Sequence, residues 1–521
     1  MFGQLPVEIL ENRIFFHLNG RDLFRLSLLD KYMRGRMDAI TILLKLRMKP
    51  ELLWPTLWLN FKTSYKKRGW AEHPYSPLSV DSPEIESLIP TLSRIQWIFP
   101  EIRINSEAFP VFCTTLPQSW NTVLFIIQQD SYTALASSLS CNIVHEMNIH
   151  LLDNIDANNT LDILSNLNKL TKLKAISHSY SIKNVSGLAY QKSLPGSFIQ
   201  TLILERNRIS DQFVKEIAAI LPDTKIKKLS LKLNQIGDRG AEALFAVLSK
   251  TQIKDLDIGN NKIGAMGLNA LIEVLPLSKM KNLRLTDNSF APDDSTPLLK
   301  LIHKTEIQKL QYCNDITEEG LLALAANLPK TKLKSLGLNF IPNGFEEFIK
   351  SSSKSQLQEL LIKTKEGDQI CAILGNNMEY LKVKKLEIEK SNITSAEMPK
   401  FISGLVKTEI EELNLNDNPI GSDGLVLFAK HLPQTKIKKF CLNRCGYNDE
   451  AFLYFASQLK ETKLVHLEIQ DFGTSGHAVL ELMKSLPKSI KFLYVMWCKT
   501  LDLKEAAKIA AEYPLATIKY H

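Results

Sequence analysis

Seven cysteines and ten histidines are the side chains of this 521-residue chain best suited to nucleophilic or metal chemistry. Cys441 and Cys445 stand four apart, but no cysteine or histidine pair follows at the spacing that would complete a zinc site. Cys113 is a nucleophile only if folding brings a histidine to it, because its histidines are distant in sequence. The chain holds no phosphate-binding GxxxxGK[ST], GxSxG, HExxH or kinase motif set. The cysteines are odd in number, scattered and without CxxC, which fits a reducing compartment and argues against a disulfide framework. The expectation is therefore no catalytic residue, no metal, no cofactor and no enzyme activity of the chain's own.

The elements that must position any functional side chain repeat. Apolar residues recur as Ile226-Leu229-Leu231-Asn234-Ile236, Ile253-Leu256-Ile258-Asn261-Ile263 and Met280-Leu283-Leu285-Asn288-Phe290. The first apolar position returns at Ile199, Ile226, Ile253, Met280, Ile307, Leu333, Leu357, Val383, Ile410, Ile437, Leu464 and Ile490, at spacings of 24 to 27 residues. Degenerate copies begin at Leu173 and Val144. Such a period builds a solenoid, which adds core layer by layer and presents a large recognition surface.

Each repeat has two halves. Leu229-Ser230-Leu231-Lys232 alternates, which predicts a strand with one face inward. Phe213-Val214-Ile217-Ala218-Leu221 recurs at three and four, which predicts a helix with one buried stripe. Leu-Pro pairs at Leu221, Leu275, Leu328, Leu432 and Leu486 are expected to close the helices. Asn207, Asn234, Asn261, Asn288 and Asn418 are placed to satisfy backbone groups in a buried turn, and Cys445 and Cys498 occupy the same position as structural residues. Gly240, Gly267, Gly320 and Gly424 predict close approach between layers.

On these residues the chain resembles the leucine-rich repeat superfamily, in its long, ribonuclease-inhibitor-like form, over residues 141–521 with about 12–14 repeats. The resemblance implies an α/β horseshoe with parallel strands on the concave face and helices on the convex one. The repeat from Leu357 is short and carries Lys365 at the Asn position. Residues 46–140 form a Pro/Trp-rich connector, with nine of the 22 prolines and five of the six tryptophans between Pro50 and Trp120, and short helices and turns are expected there.

Residues 1–45 carry a different signature: Leu5-Pro6-Val7-Glu8-Ile9-Leu10, Ile14-Phe15, Leu18, Asp22-Leu23 and Leu26-Ser27-Leu28. The apolar residues fall at helical spacing, broken at Asn19-Gly20, and Asp22 is placed to cap the following helix. This all-α segment resembles an F-box with one extra residue before Ile14. The resemblance implies docking on a Skp1-type adaptor of a cullin complex, through Leu5, Pro6, Ile9, Leu10, Ile14, Phe15, Leu18, Leu26 and Leu28. The residues alone also allow a helical cap for the first repeats.

The outward strand positions offer a second partner surface, represented by Asp257, Arg284, Glu387, Glu389 and Glu468, and by Phe492, Tyr494, Met496 and Trp497 on the last strand. Alternatively, residues 501–521 fold over that strand as a C-terminal cap. Charges of both signs mix on this face, which suits a protein partner and argues against nucleic acid. A lysine series before the strands (Lys225, Lys227, Lys228, Lys332, Lys334, Lys436, Lys438, Lys439) reads as a solvated rim, or as a basic ridge for an anionic partner, within a net charge of +8. No stretch approaches the roughly 20 apolar residues of a membrane span, and Glu8 and Glu11 argue against a signal peptide.

Three functions remain. The first is the substrate-recognition subunit of an SCF-type ubiquitin ligase acting in the cytoplasm, in the host cytosol if the chain is one of the F-box effectors of intracellular bacteria that its lysine-rich repeats resemble. The second is an interaction scaffold or enzyme inhibitor without a ligase role. The third is an enzyme using the connector.

Overall fold

The computed structural model describes residues 187–521, apart from 192, 313–314, 340–342, 471–473, 496–500, 514 and 521, together with the backbone of four earlier strands. The F-box-like residues Leu5 to Leu28, most of the connector, and Cys113, Met496, Trp497 and Cys498 lie outside the described residues. The chain divides into two units, Met1–Lys262 and Ile263–His521.

In the first unit, β1 (Ile102–Ile104) pairs parallel with β2 (Phe125–Ile127). The connector thus contains two short strands where short helices and turns were expected, in segments rich in the β-branched isoleucines that favour extended backbone. Strands β3 (Glu146–His150), β4 (Ala175–Ser179), β5 (Thr201–Ile203), β6 (Lys228–Ser230) and β7 (Asp255–Asp257) then pair parallel in chain order. The two degenerate repeats therefore supply true strands, β3 and β4. Helices α1 (Leu188–Gln191), α2 (Asp211–Ala218) and α3 (Asp238–Leu248) belong to this unit.

The second unit opens with helix α4 (Ala265–Val274) and holds ten strands, each parallel to the next: β8 (Asn282–Arg284), β9 (Lys309–Tyr312), β10 (Ser335–Asn339), β11 (Glu359–Lys363), β12 (Lys385–Ile388), β13 (Glu412–Asn414), β14 (Lys439–Cys441), β15 (His466–Glu468), β16 (Phe492–Val495) and β17 (Thr517–Tyr520). Helices alternate with them: α5 (Ser295–Leu301), α6 (Glu318–Asn327), α7 (Phe345–Ser352), α8 (Gly367–Asn377), α9 (Met398–Leu405), α10 (Gly421–His431), α11 (Asp449–Gln458), α12 (Gly476–Lys484) and α13 (Leu503–Ala511). Parallel strands need a crossover, and one helix per repeat provides it. The described part of each unit is thus a leucine-rich-repeat solenoid. The core lies between the strand and helix layers, where Leu229, Leu256, Leu310, Leu336, Leu386, Leu413, Phe440, Leu467 and Leu493 are all buried. Burying each such side chain contributes about 1.5–3 kcal/mol.

Three features hold the turns. The first is the predicted asparagine ladder. Asn234 Oδ1 accepts from the amides of Asn207 and Ile209 at 2.9 and 3.0 Å, while Nδ2 donates to the carbonyls of Leu204 and Leu231 at 2.8 Å each. Asn418 repeats this geometry, and Cys445 contributes only long contacts, 3.5 Å, from Sγ to the carbonyls of Leu415 and Asn443. In the irregular repeat next to Lys365, Ser391 stands at the Asn position, and its hydroxyl accepts from the Thr364 amide at 3.2 Å.

The second feature went unread in the sequence. A Thr or Ser two residues before the first apolar position joins the end of one helix to the next strand. Thr224 Oγ1 donates to the Leu221 carbonyl at 2.8 Å and accepts from the Ile226 amide at 3.4 Å. Thr251, Ser278, Thr305, Thr331, Ser355, Thr408 and Thr435 do the same. The third concerns proline. Leu-Pro does not end helical structure at once but starts a short 3-10 turn, as in Leu221–Asp223, Leu275–Leu277, Leu328–Lys330 and Leu432–Gln434. Proline is tolerated there because the first turn of a helix leaves its amides unpaired.

At Gly240 a Cβ would stand 2.6 Å from Asp211 Oδ1 and 2.9 Å from Asp211 Cα, so the two helical layers of the first unit meet through a glycine.

Candidate partner-binding face

Strand pleating sends alternate side chains to the face away from the helices. In the second unit the register aligns them in rows. One row runs Ser335, Glu359, Lys385, Glu412, Lys439, His466, Phe492 and Thr517. The next runs Gly337, Leu361, Glu387, Asn414, Cys441, Glu468, Tyr494 and Lys519. In the first row acid and base alternate from Glu359 to Lys439, and the charges of Glu359 and Glu412 favour the Lys385 ammonium between them. The second row carries Glu387 and Glu468 in its central stretch.

Glu387 takes the Lys385 ammonium at 2.7 Å, and Glu389 accepts from the Asn414 amide. Glu468 lies 2.6 Å from His466 Nε2, and that hydrogen bond, more than any other influence, holds the Glu468 carboxyl below the usual carboxylate range. The His466 ring stacks on Phe492 with centroids 4.3 Å apart, and Lys519 Nζ lies 5.6 Å from the centre of the Phe492 ring. Phe492 and Tyr494 are half-buried. The edge of β16 is paired by β17, so part of the segment expected as a cap is a further strand of the sheet rather than a fold over its face.

The predicted face residues do not all converge. Glu387, Glu389, Glu468, Phe492 and Tyr494 share the face of the second unit between β12 and β16. Arg284 is on β8 of the same unit, and Asp257 is on β7 of the first, where its carboxylate accepts from the Gly259 amide at 3.1 Å.

Cys441 is buried in the second row. Burial first, and the neighbouring Glu468 charge second, push its thiol up to about 12. Cys371 lies buried in α8, where desolvation raises its thiol in the same direction. His466 was not among the predicted residues. The signal for it was periodic: Cys441 and Glu468 hold the same position in consecutive repeats, 27 apart, and His466 is the next outward position before Glu468 on β15.

Three of the eight lysines in the series take counter-charges from the preceding repeat: Lys332 pairs with Glu306, Lys436 with Glu409, and Lys438 with Glu411 at 2.9 Å. Lys227 donates to the neutral Gln200 at 3.1 Å, and Lys225 lies over the Phe198 ring at 3.9 Å.

A protein-family model agrees with the repeat pattern. Residues 223–245 and 407–429 match a family model described as Leucine Rich repeat. Among solved structures, the chain is similar to one in the complex of Rad7 and Elc1 in yeast, with 15% identity over 74% of this chain and 86% of that one, at a TM-score of 0.43. It is also similar to an internalin of Listeria monocytogenes, with 13% identity over 83% and 88% of the two chains and a TM-score of 0.31. No curated protein matches the sequence. Among the described residues no helix is long and apolar enough to cross a membrane.

Proposed function

We propose that this chain is a target-binding subunit of an SCF-type ubiquitin ligase, its repeats holding a protein and its N-terminal segment docking on a Skp1-type adaptor. The observation that carries the binding half is the face between β12 and β16. There Glu387, Glu468, Phe492 and Tyr494 are set on paired strands, with Glu389 just beyond the end of β12, and none is part of the core beneath. Rigid strands fix these side chains relative to one another, so a partner meets a preorganised surface. Acid beside aromatic suits a protein segment that brings basic and apolar side chains. The carboxylates of Glu387, Glu389 and Glu468 on this face weigh against nucleic acid.

The ligase half rests on the F-box-like residues Leu5 to Leu28 alone. On this reading the chain performs no chemistry; it supplies proximity between a bound target and a recruited ubiquitin-conjugating enzyme, in the cytosol. The state of Cys441 supports a non-catalytic role. Its thiol is buried and pushed up to about 12, whereas a nucleophilic cysteine needs a depressed pKa.

The test is capture of the full-length chain by a purified Skp1-type adaptor. The wild type should bind, and the double variant Leu5→Ala with Pro6→Ala should lose binding while keeping its circular dichroism spectrum. No binding by the wild type would leave the second reading, an interaction scaffold or enzyme inhibitor that uses the same strand face.

A further inference from the structure

The sequence offered no zinc-ligand spacing, yet folding gathers Cys441, His466 and Glu468 from β14 and β15, with one ligand-type atom from each lying within 4.8 Å of the others. Among the described residues no other three His, Cys, Asp or Glu side chains converge in this way. We propose that these three side chains form a zinc site on the strand face of the second unit.

The donor set is a thiol sulfur, an imidazole nitrogen and a carboxylate oxygen. That combination of soft and borderline ligands selects zinc over calcium or magnesium, which require oxygen. Three protein ligands with the fourth position open match sites that bind water or an incoming group. A tetrahedral site with bonds of about 2.0–2.3 Å needs ligand atoms roughly 3.3–3.6 Å apart. The present spread therefore has to contract, while the His466–Glu468 pair at 2.6 Å has to open. Both of those side chains retain about a quarter of their exposure (24% and 27%) and can adjust. Cys441 is fixed in the sheet.

A second observation points to the same place. Asn443, only 8% exposed, sits two residues beyond Cys441, and its side chain hydrogen-bonds Glu468. Its Oδ1 is buried with no hydrogen-bond partner. An orphaned buried acceptor is costly, and an amide oxygen beside a carboxylate ligand is suited to accept from a metal-bound water.

Three groups around the cluster bear on its charge. Lys439, the register neighbour of His466, opposes a dication, while Glu387 on β12 and Glu389 just beyond it favour one. Binding balances as follows. Cys441 loses its thiol proton to solvent and bonds through sulfur. The His466–Glu468 hydrogen bond is given up: the Nε2 proton passes through solvent to Nδ1, which frees the Nε2 lone pair for the metal, and one Glu468 oxygen completes the set. One proton is released per zinc bound.

Cobalt(II) titration of the metal-free full-length chain tests this. One equivalent should give tetrahedral-strength visible bands and a thiolate charge-transfer band in the near ultraviolet, all displaced by one equivalent of zinc. Cys441→Ser should abolish the charge-transfer band. His466→Gln and Glu468→Gln should each weaken cobalt binding at least tenfold, and Asn443→Ala about tenfold. A wild-type chain without the charge-transfer band overturns the proposal, as does a band that survives Cys441→Ser, since the thiolate would then be another cysteine. If the serine variant does not fold, His466→Gln decides alone: unchanged cobalt affinity in that folded variant is equally fatal.

Discussion

Replacing Asn418 with alanine tests the central structural reasoning. Asn418 is 1% exposed, and its carboxamide connects two repeats. Oδ1 accepts from the amides of Ser391 and Ile393 at 2.9 and 3.2 Å. Nδ2 donates to the carbonyls of Ile388 and Leu415 at 2.7 and 2.9 Å, with a weaker contact to Asn416 at 3.2 Å. Alanine leaves two buried amides without acceptors, at about 1–3 kcal/mol each. Water entering the vacated space recovers part of this, because the site is polar and can offer it several partners. The expected loss is about 3–4 kcal/mol. Asn418→Cys places there the residue that Cys445 supplies naturally, with only long, weak sulfur contacts, and should recover about 1 kcal/mol of that loss. Urea unfolding followed by far-ultraviolet circular dichroism gives the magnitudes. Hydrogen exchange resolved by peptide gives the location, because repeat layers open locally. Protection should fall first at Ser391 and Ile393. A loss below about 1 kcal/mol, or exchange that rises evenly across the second unit, would refute the claim that the carboxamide holds the turn.

Further outcomes follow from the same geometry. Gly367→Ala should destabilise by about 1–3 kcal/mol through overpacking, because its Cβ would lie 2.2 Å from the Ser391 carbonyl oxygen; thermal melts check it. Asp417 is held below the usual carboxylate range, chiefly by its hydrogen bonds from Arg444. Its contribution is present above the unfolded pKa of Asp and is lost as pH falls through the lower folded value. The stability curves of wild type and Asp417→Asn should therefore differ at neutral pH and converge in acid. Lys436→Ala and Lys438→Ala should leave the melting temperature unchanged within error, since both pairs are solvent-exposed. Once a protein target is in hand, Tyr494→Ala with Trp497→Ala should abolish its binding in a pull-down with the dichroism spectrum intact; unchanged binding would remove this end of the face from the proposed surface.

Much of the fold was legible because burial in a solenoid is periodic. The register Leu229↔Leu256 is implied by a 27-residue spacing, since equivalent positions in consecutive repeats must stack. The same logic placed Asn234 and Asn418 in the turns and read Cys445 as their substitute. The Thr and Ser residues at Thr224, Thr251 and Thr435 recur just as regularly, yet a hydroxyl has no apolar signature, and its role became visible only through paired distances to a carbonyl and an amide. The strands Ile102–Ile104 and Phe125–Ile127 were missed because they precede the repeats, and the terminal strand Thr517–Tyr520 because a single short apolar run does not declare its partner.

The sequence by itself determined the period, the two halves of each layer and which faces turn inward, because these depend on local alternation and spacing. Tertiary structure alone decided which outward side chains meet. Cys441, His466 and Glu468 are up to 27 residues apart, and the lateral distance between neighbouring strands, with the rotamers chosen there, brings their donor atoms within 4.8 Å. Side-chain chemistry across a sheet depends on that sideways neighbour, which no single repeat encodes.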